Sequence, residues 1–413
     1  MAIPRVRRFQ ILPDGASGDA AVLLRTRAVR AFGDGFVSVL LPLQLTTLGL
    51  TTAQIGFIVT ATLVGSAALT LLIGLVAFRL GRKALLLRAS ILMAITGIGF
   101  AVASDFWPLL VVAFVGTMNP SAGDVSIFLP TEQALLPQTV TAESRTALFA
   151  RYSLMGTLLA AFGALVAGFP EFLAHTTTIA LPRALDLMFV LYAVLGLVSL
   201  WFYRSLSPAV EPAQKAARAP LNESKSIVYK LTALFSLDSF AGGFVVQSML
   251  ALWLFQRFDL SVATTGTIFF WTGLLSAFSQ LAAPKVAKKI GLIRTMAYTH
   301  IPANIFLMLT PFMPTLPLAI LMLMLRSTMS AMDVPARTSY VMAVVTPEER
   351  PAAASVTNVP RSLASAAGPS LAGWMLSVSG FGWPLLIAGT LKVTYDLLLL
   401  KMFRNVRPPE EQG

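Results

Sequence analysis

The amino-acid sequence predicts an all-α membrane protein with twelve transmembrane helices, arranged as two six-helix bundles related by a pseudo-twofold repeat. Three observations lead there. Twelve apolar stretches have spanning length, the loops between them alternate between basic and uncharged, and matching residues recur half a chain apart.

Of the 413 residues, 56% are hydrophobic and 12% charged, against about 25% charged in a soluble domain. So apolar a chain needs lipid as solvent for much of its surface. There are no cysteines, which excludes disulfides and thiolate metal sites. His175 and His300 are too far apart in sequence for a His-x-x-His site, and neither a metal nor a cofactor is expected. The net charge of +12 would suit a nucleic-acid partner, but its placement assigns it to membrane topology. Arg5, Arg7 and Arg8 precede a polar run through Asp14 and Asp19 with no apolar stretch before about residue 31, unlike a cleaved signal peptide. Residues 1–26 are expected to form a short cationic cytoplasmic tail.

The spans run near 27–48, 52–77, 84–104, 107–135, 145–169, 183–203, 227–256, 262–283, 293–313, 315–342, 351–378 and 381–402. A spanning helix needs about 20 mostly apolar residues. The fourth and tenth are long and interrupted by proline and polar residues, which membrane helices tolerate where they line a cavity or pack on protein. One alternating set of loops carries Arg79, Arg82 and Lys83; Arg204, Lys215, Arg218 and Lys225; Lys285, Lys288 and Lys289; Arg350; and Arg404 with Arg407. In the opposite set, 48–53, 104–107, 312–316 and 377–383 have no Lys or Arg. The positive-inside rule then places both ends and the middle linker in the cytoplasm. The divisions expected are a first bundle over 27–204, a Pro/Ala-rich linker over 205–226, a second bundle over 227–403 and a tail over 404–413. Trp107, Trp201, Trp374 and Trp383 read as interface anchors.

Thr141, Glu143, Arg145, Ala147, Ala161, Gly163, Ala167 and Gly168 match Thr346, Glu348, Arg350, Ala352, Ala366, Gly368, Ala372 and Gly373 in register. Leu50, Ala53, Gly56 and Gly81 match Leu260, Ala263, Gly266 and Gly291; Gly35-Phe36 matches Gly243-Phe244; Asp124 falls opposite Asp333. All offsets lie between 205 and 210, the signature of an internal duplication.

The segment Gly74-Leu75-Val76-Ala77-Phe78-Arg79-Leu80-Gly81-Arg82-Lys83 lies in the second-to-third helix loop. Together with the six-plus-six repeat it resembles the major facilitator superfamily, whose motif there is Gly-x-Leu-Ala-Asp-Arg-x-Gly-Arg-Lys. The resemblance covers residues 27–403. It implies a secondary transporter of a small organic solute or drug-like compound, whose bundles rock about a site near the bilayer midplane. A monomer in a bacterial inner membrane and an exporter-like branch are expected. Phe78 replaces the motif's acid, which in the family helps lock the cytoplasmic gate. The gate set is Gly74, Arg79, Gly81, Arg82 and Lys83, with the symmetric pairs Glu143/Arg145 and Glu348/Arg350. The Gly-Pro motif of drug exporters is missing from the fifth span and stands at Gly368-Pro369 in the eleventh. Thr117 occupies the fourth-span position where proton-coupled branches carry arginine, opposite Arg326.

An ionisable side chain inside a membrane helix costs about 2.5–3.5 kcal/mol on insertion scales, so each is a functional candidate. In the first span Asp34 sits between Gly33 and Gly35, with Asp238 of the seventh its approximate counterpart. In the fourth, Asn119 and Asp124 precede Glu132. Proton binding or substrate contact by these carboxylates competes with ion pairing, of Asp34 with Arg30 and of the fourth-span acids with Arg145 or Arg151. Arg326, Asp333 and Arg337 share one face of the tenth span and could satisfy one another. Asn358 and Arg361 add a polar patch to the eleventh. Met322, Met324, Met329 and Met332 read as packing rather than soft-metal ligands. The partners expected are a small-molecule substrate, protons and lipid. An uncoupled facilitator or a symport-type importer is the alternative. A membrane enzyme or receptor would need a nucleophile–base pair, a metal cluster or a phosphate loop, and the sequence offers none.

Overall fold

A computed structural model describes residues 12–13, 15–121, 127–141, 144–211, 221–346 and 349–405. The first bundle is built from α1 (Gly18–Thr47), α2 (Thr52–Leu80), α3 (Arg82–Val102), α4 (Phe106–Val115), α5 (Phe128–Leu135), α6 (Arg145–Val166), α7 (Phe169–Thr176) and α8 (Leu181–Arg204). The second holds α9 (Lys225–Gly243), α10 (Gln247–Phe258), α11 (Val262–Ile290), α12 (Leu292–Leu309), α13 (Leu316–Ser327), α14 (Asp333–Val344), α15 (Arg350–Val378) and α16 (Trp383–Phe403). The pairs α4–α5, α6–α7, α9–α10 and α13–α14 are each one broken span, which gives twelve spans.

The breaks fall where the sequence disfavours a helix. Gly116 ends α4 ahead of Asn119-Pro120, Gly242-Gly243 ends α9, and Pro170 and Pro335 sit in the first turns of α7 and α14, where a missing N–H costs nothing. The break in α9–α10 is bonded to the break after α4, since the Ser248 N–H donates to the Pro120 carbonyl at 3.0 Å. Helix α1 starts at Gly18, nine residues before the expected span. Its added turns bury Ala20, Val22, Leu23 and Leu24, and Thr26 is buried against Glu132, so protein contacts carry the helix into the stretch expected as a tail. Large apolar side chains such as Ile95, Val102, Leu197 and Leu397 face outward on the peripheral helices, as do Trp107, Trp201, Trp374 and Trp383. This is the surface a bilayer covers.

The repeat is visible in the packing. Helix α1 lies on α6 as α9 lies on α15, and α3 on α8 as α12 on α16. In the first bundle Gly35 and Gly163 meet backbone to backbone; in the second Gly243 and Gly368 do the same. Gly81 (φ 75°) and Gly291 (φ 86°) cap the N-termini of α3 and α12, a left-handed conformation that favours glycine. The second-half loop has lost the basic motif and kept its turn.

Between bundles, α2 packs on α15 and α11 on α6. A Cβ on Gly373 would stand 2.7 Å from the Thr52 carbonyl and 2.9 Å from Gly56 Cα; one on Gly168 would stand 2.8 Å from Ala263 Cα. Thr52 and Val262 open α2 and α11, so both seams lie at the charge-poor end, where only Arg183 and Arg257 stand near the loops.

At the opposite end, Glu349 accepts the backbone N–H groups of Asn222, Glu223 and Ser224 at 2.7, 3.0 and 3.0 Å. These bonds, with that from Asn222 first, hold its carboxyl below the usual range. They satisfy donors at the start of α9.

Two outcomes follow for purified protein in detergent. Gly163→Val and Gly368→Val should each lose about 1–3 kcal/mol of stability through overpacking, and by similar amounts; an unchanged thermal midpoint in either would break the symmetric contact. Glu349→Gln should lower the midpoint at pH 7. A depressed carboxyl stabilises above its unfolded value of about 4.3 and loses that contribution as pH falls through the folded value. The difference between wild type and variant should therefore vanish on acidification, and a pH-independent difference would contradict it.

Candidate functional site

Two clusters of charge lie inside the bundles. In the first, Glu132 is fully buried. It pairs with Arg30 and accepts the hydroxyls of Thr26 at 2.9 Å, Tyr203 at 2.5 Å and Tyr152. The Arg30 guanidinium lies 4.2 Å from the centroid of Phe128. Helices α1, α5, α6 and α8 thus converge on one carboxylate whose lone pairs are spoken for. Its partner is Arg30, 102 residues away, not Arg145, which is exposed at the start of α6, nor Arg151.

Asp34 lies one turn beyond Arg30 on α1 and is buried. The Tyr192 hydroxyl stands 3.4 Å from both Asp34 Oδ1 and the Thr117 carbonyl, and the Asn119 side chain is a further hydrogen-bond partner of Asp34. Asn119 Oδ1 also accepts the Ser121 N–H at 3.1 Å and its hydroxyl at 2.8 Å. Asp34 and Asn119 therefore meet at the break after α4, and the expected pairing of Asp34 with Arg30 gives way to Arg30–Glu132. Asp124 lies outside the described residues.

In the second bundle Asp238 accepts from Arg337 Nη2 at 2.8 Å and Lys392 Nζ at 2.6 Å. Arg337 also bonds Asp333 one turn back on α14. His300 Nδ1 stands 3.1 Å from both Asp396 oxygens, and Asp396 follows Lys392 by one turn on α16. Arg361 Nε donates to the Ser239 hydroxyl at 3.2 Å and Nη1 to Asn358 Oδ1 at 3.4 Å. Arg326 lies within electrostatic reach of Asp333, yet its Nε is buried without a hydrogen-bond partner among the described residues. The tenth-span trio is thus open: Asp333 pairs with Arg337, Asp238 joins them, and Arg326 stands aside.

Sequence reasoning missed Lys392, Asp396 and the role of His300, although each is an ionisable residue within an apolar span and the same rule selects it. It also matched Asp238 to Asp34. At the 208-residue offset of Gly35 and Gly243, Asp238 corresponds to Arg30. Both bundles bury a cation–anion pair between their first and fourth spans, with the polarity exchanged.

Among the described gate residues, Arg82 and Lys83 bond within the first half of the chain. Arg82 Nη1 donates to the Ala134 carbonyl at 3.1 Å, Lys83 Nζ to the Arg204 carbonyl at 2.9 Å, and Glu211 accepts the Arg82 and Lys83 N–H groups at 3.0 and 2.8 Å. Gly74, Phe78 and Arg79 fall on α2 and Arg350 opens α15, with side chains outside the described set; Glu143 and Glu348 lie outside it altogether. At the charge-poor end the bundles are joined. Glu171 accepts the Val262 and Ala263 N–H groups at 2.8 and 3.0 Å, Gln256 Nε2 donates to the Thr52 hydroxyl at 2.9 Å, and the Ser370 N–H donates to Thr60 Oγ1 at 2.9 Å. Gln280–Thr157, at 3.5 Å, is the last such bond toward the basic end among the described residues.

The Major Facilitator Superfamily profile matches residues 26–327 and 234–413. An uncharacterized membrane protein of Saccharomyces cerevisiae, YJR124C, is 27% identical over 427 residues, covering 95% of each chain. Among solved structures, the nucleoside transporter NupG superposes with a TM-score of 0.70 at 15% identity, over 94% of this chain and 100% of its own. A bacterial homologue of the human lysosomal transporter Spinster, inward-facing and occupied, gives 0.72 at 15% identity over 94% and 97%. The E. coli xylose transporter XylE, in a partially occluded inward-open conformation, gives 0.70 at 13% identity over 96% and 100%. These likenesses establish the fold, and with two-bundle packing and the profile match across the whole membrane region, the chain belongs to the Major Facilitator Superfamily.

Proposed function

We propose that the chain moves a small organic solute or drug-like compound across its membrane by alternating access, in exchange for protons and in the export direction. The observation that carries this reading is the unequal closure of the two ends. Glycine seams and inter-bundle hydrogen bonds join the charge-poor end, while Arg82 and Lys83, the described cations of the expected lock at the basic end, bond within the first half of the chain. By the positive-inside rule the sealed end is external and both termini are cytoplasmic, so this conformation opens inward. The expected bacterial inner membrane rests on the exporter-like resemblance; the relative at 27% identity is a membrane protein of a yeast.

The solute would bind where the bundles part, between the divisions at 27–204 and 227–403, with the 205–226 linker letting them rock. In the first bundle the coupling group is Asp34. Glu132 already holds a cation and three hydroxyls, so protonating it would break a buried network rather than trigger a switch. Among the described residues Asp34 is hydrogen-bonded to the neutral Tyr192 and Asn119, and Arg30 and Arg27 act on it through space. A proton there drives transport if the two conformations bind it with different affinity.

The test is transport in proteoliposomes under an imposed pH gradient, with a solute found by thermal-shift screening of metabolites and drugs. Wild type should concentrate the solute, and Asp34→Asn should lose gradient dependence while still exchanging solute. Glu132→Gln should lower the thermal midpoint instead. A solute that only equilibrates, whatever the gradient and in Asp34→Asn as in wild type, would make the chain an uncoupled facilitator.

A further inference from the structure

The interior of the second bundle holds more positive than negative side chains. Among the described residues, Arg326, Arg337, Arg361 and Lys392 stand with three carboxylates, Asp238, Asp333 and Asp396. The carboxylates are already engaged. Arg337 and Lys392 divide Asp238, Arg337 also takes Asp333, and Asp396 faces His300. Among the described residues, Arg361 is left with two neutral partners, Ser239 and Asn358, and Arg326, unlike Arg337, has no bonded carboxylate and buries an Nε without an acceptor. A guanidinium held in a membrane protein's interior without a bonded anion is costly, so a sequence that keeps two of them has another use for them.

Their position agrees with that use. Helix α15 meets α9 through Ser365 and Gly368 and meets α2 of the other bundle through Pro369, Ser370 and Gly373. Toward its N-terminus, Asn358 is exposed between those two contact faces, and Arg361 lies on the α9 side, bonded to Ser239 and 5.9 Å from the centroid of Phe235. Arg361 Nη1 reaches back to that exposed Asn358. Arg326 ends α13 at the break before α14, within reach of the same Asp333 that influences Arg361.

We propose that the transported solute is an organic anion, with a carboxylate, phosphate or sulfonate group, and that Arg361 and Arg326 are the cations that receive it, with Asn358 and Ser239 orienting Arg361. Guanidinium groups suit this task because they stay charged and present a fork to two oxygens. The inference rests on the transport reading for its cargo and supplies the charge class that reading lacks.

The experiment uses the full chain in lipid nanodiscs. Benzoate, succinate and glycerol 3-phosphate are compared with benzylamine, 1,4-diaminobutane and glycerol by thermal shift and titration. At least one anion should raise the thermal midpoint while the amines and glycerol do not, and Arg361→Gln and Arg326→Gln should each weaken that anion by about tenfold or more, the scale of a lost charge-assisted bond. Unliganded, both variants should melt at or above wild type because a surplus charge has gone. Arg337→Gln should melt well below it because Asp238 and Asp333 lose their shared cation. The proposal is overturned if no anion stabilises, if the amines or glycerol stabilise equally, or if unliganded Arg361→Gln and Arg326→Gln fall as far as Arg337→Gln. Anion binding that needs the arginines without solute exchange in proteoliposomes would leave the site standing and remove the transport reading. Exchange confined to amines or neutral solutes would do the reverse.

Discussion

Where Gly373 meets Thr52 and Gly56 the two bundles touch backbone to backbone, and where Gly168 meets Ala263 only a methyl group stands between them. In lipid there is little hydrophobic drive for helices to associate, and close backbone approach at small residues supplies the attraction instead. Such contacts are all-or-none: dispersion falls away within an ångström of separation, so a seam is either shut or gone. Because the seams are repeat copies of each other, one rotation of a bundle would open both. The Glu171 bonds to the start of α11 and the Gln256–Thr52 bond reinforce the same end. A sealed end held by short-range contact and an opposite end without inter-bundle bonds among the described residues are what the proposed alternating-access cycle requires of one of its two states.

The buried charges divide the labour differently. Around Glu132 every donor converges on one acceptor, which ties α1, α5, α6 and α8 together and makes the first bundle a stiff unit. The second bundle carries the same first-to-fourth-span pairing with its polarity exchanged, and adds Lys392, Arg361 and Arg326 to it. Buried ion pairs contribute little net stability, but a missing partner costs about 3–5 kcal/mol. The first bundle avoids that cost with a closed network. The second leaves two guanidiniums without bonded carboxylates among the described residues.

Much of the fold was legible because lipid leaves few choices. Span lengths, loop charges and the offset between Gly35 and Gly243 or Gly163 and Gly368 all reflect constraints local to one helix or one contact, and the packing agrees with them. The prolines and glycines of the fourth and tenth spans marked real breaks. What the sequence hid were partnerships across distance. Nothing near Glu132 names Arg30, 102 positions earlier, or directs Lys392 to Asp238, 154 positions away. The hydroxyls of Tyr152, Tyr192 and Tyr203 carry no sequence signal that separates them from packing aromatics. Helix α1 began early because the apolar run at 20–24, too short to read as part of a span, is buried by residues that only the fold brings near. Asp396 and Lys392 were visible as charges within an apolar span, and their link to His300 and Asp238 emerges only from three dimensions.

The absence of cysteine makes the central claim directly measurable, since a single introduced pair can carry spin labels without background. Thr178→Cys with Gly380→Cys reports on the sealed end, and Ser205→Cys with Lys289→Cys on the basic end; all four positions are exposed. Electron–electron distance measurement in nanodiscs should give a short, narrow distribution at the first pair and a longer one at the second. Introducing Gly373→Val, which puts side-chain atoms where the Thr52 carbonyl now lies, should lengthen the first distance and shorten the second together. If both distances lengthen, or if neither moves, the bundles do not exchange one closed end for the other, and the alternating-access account is wrong.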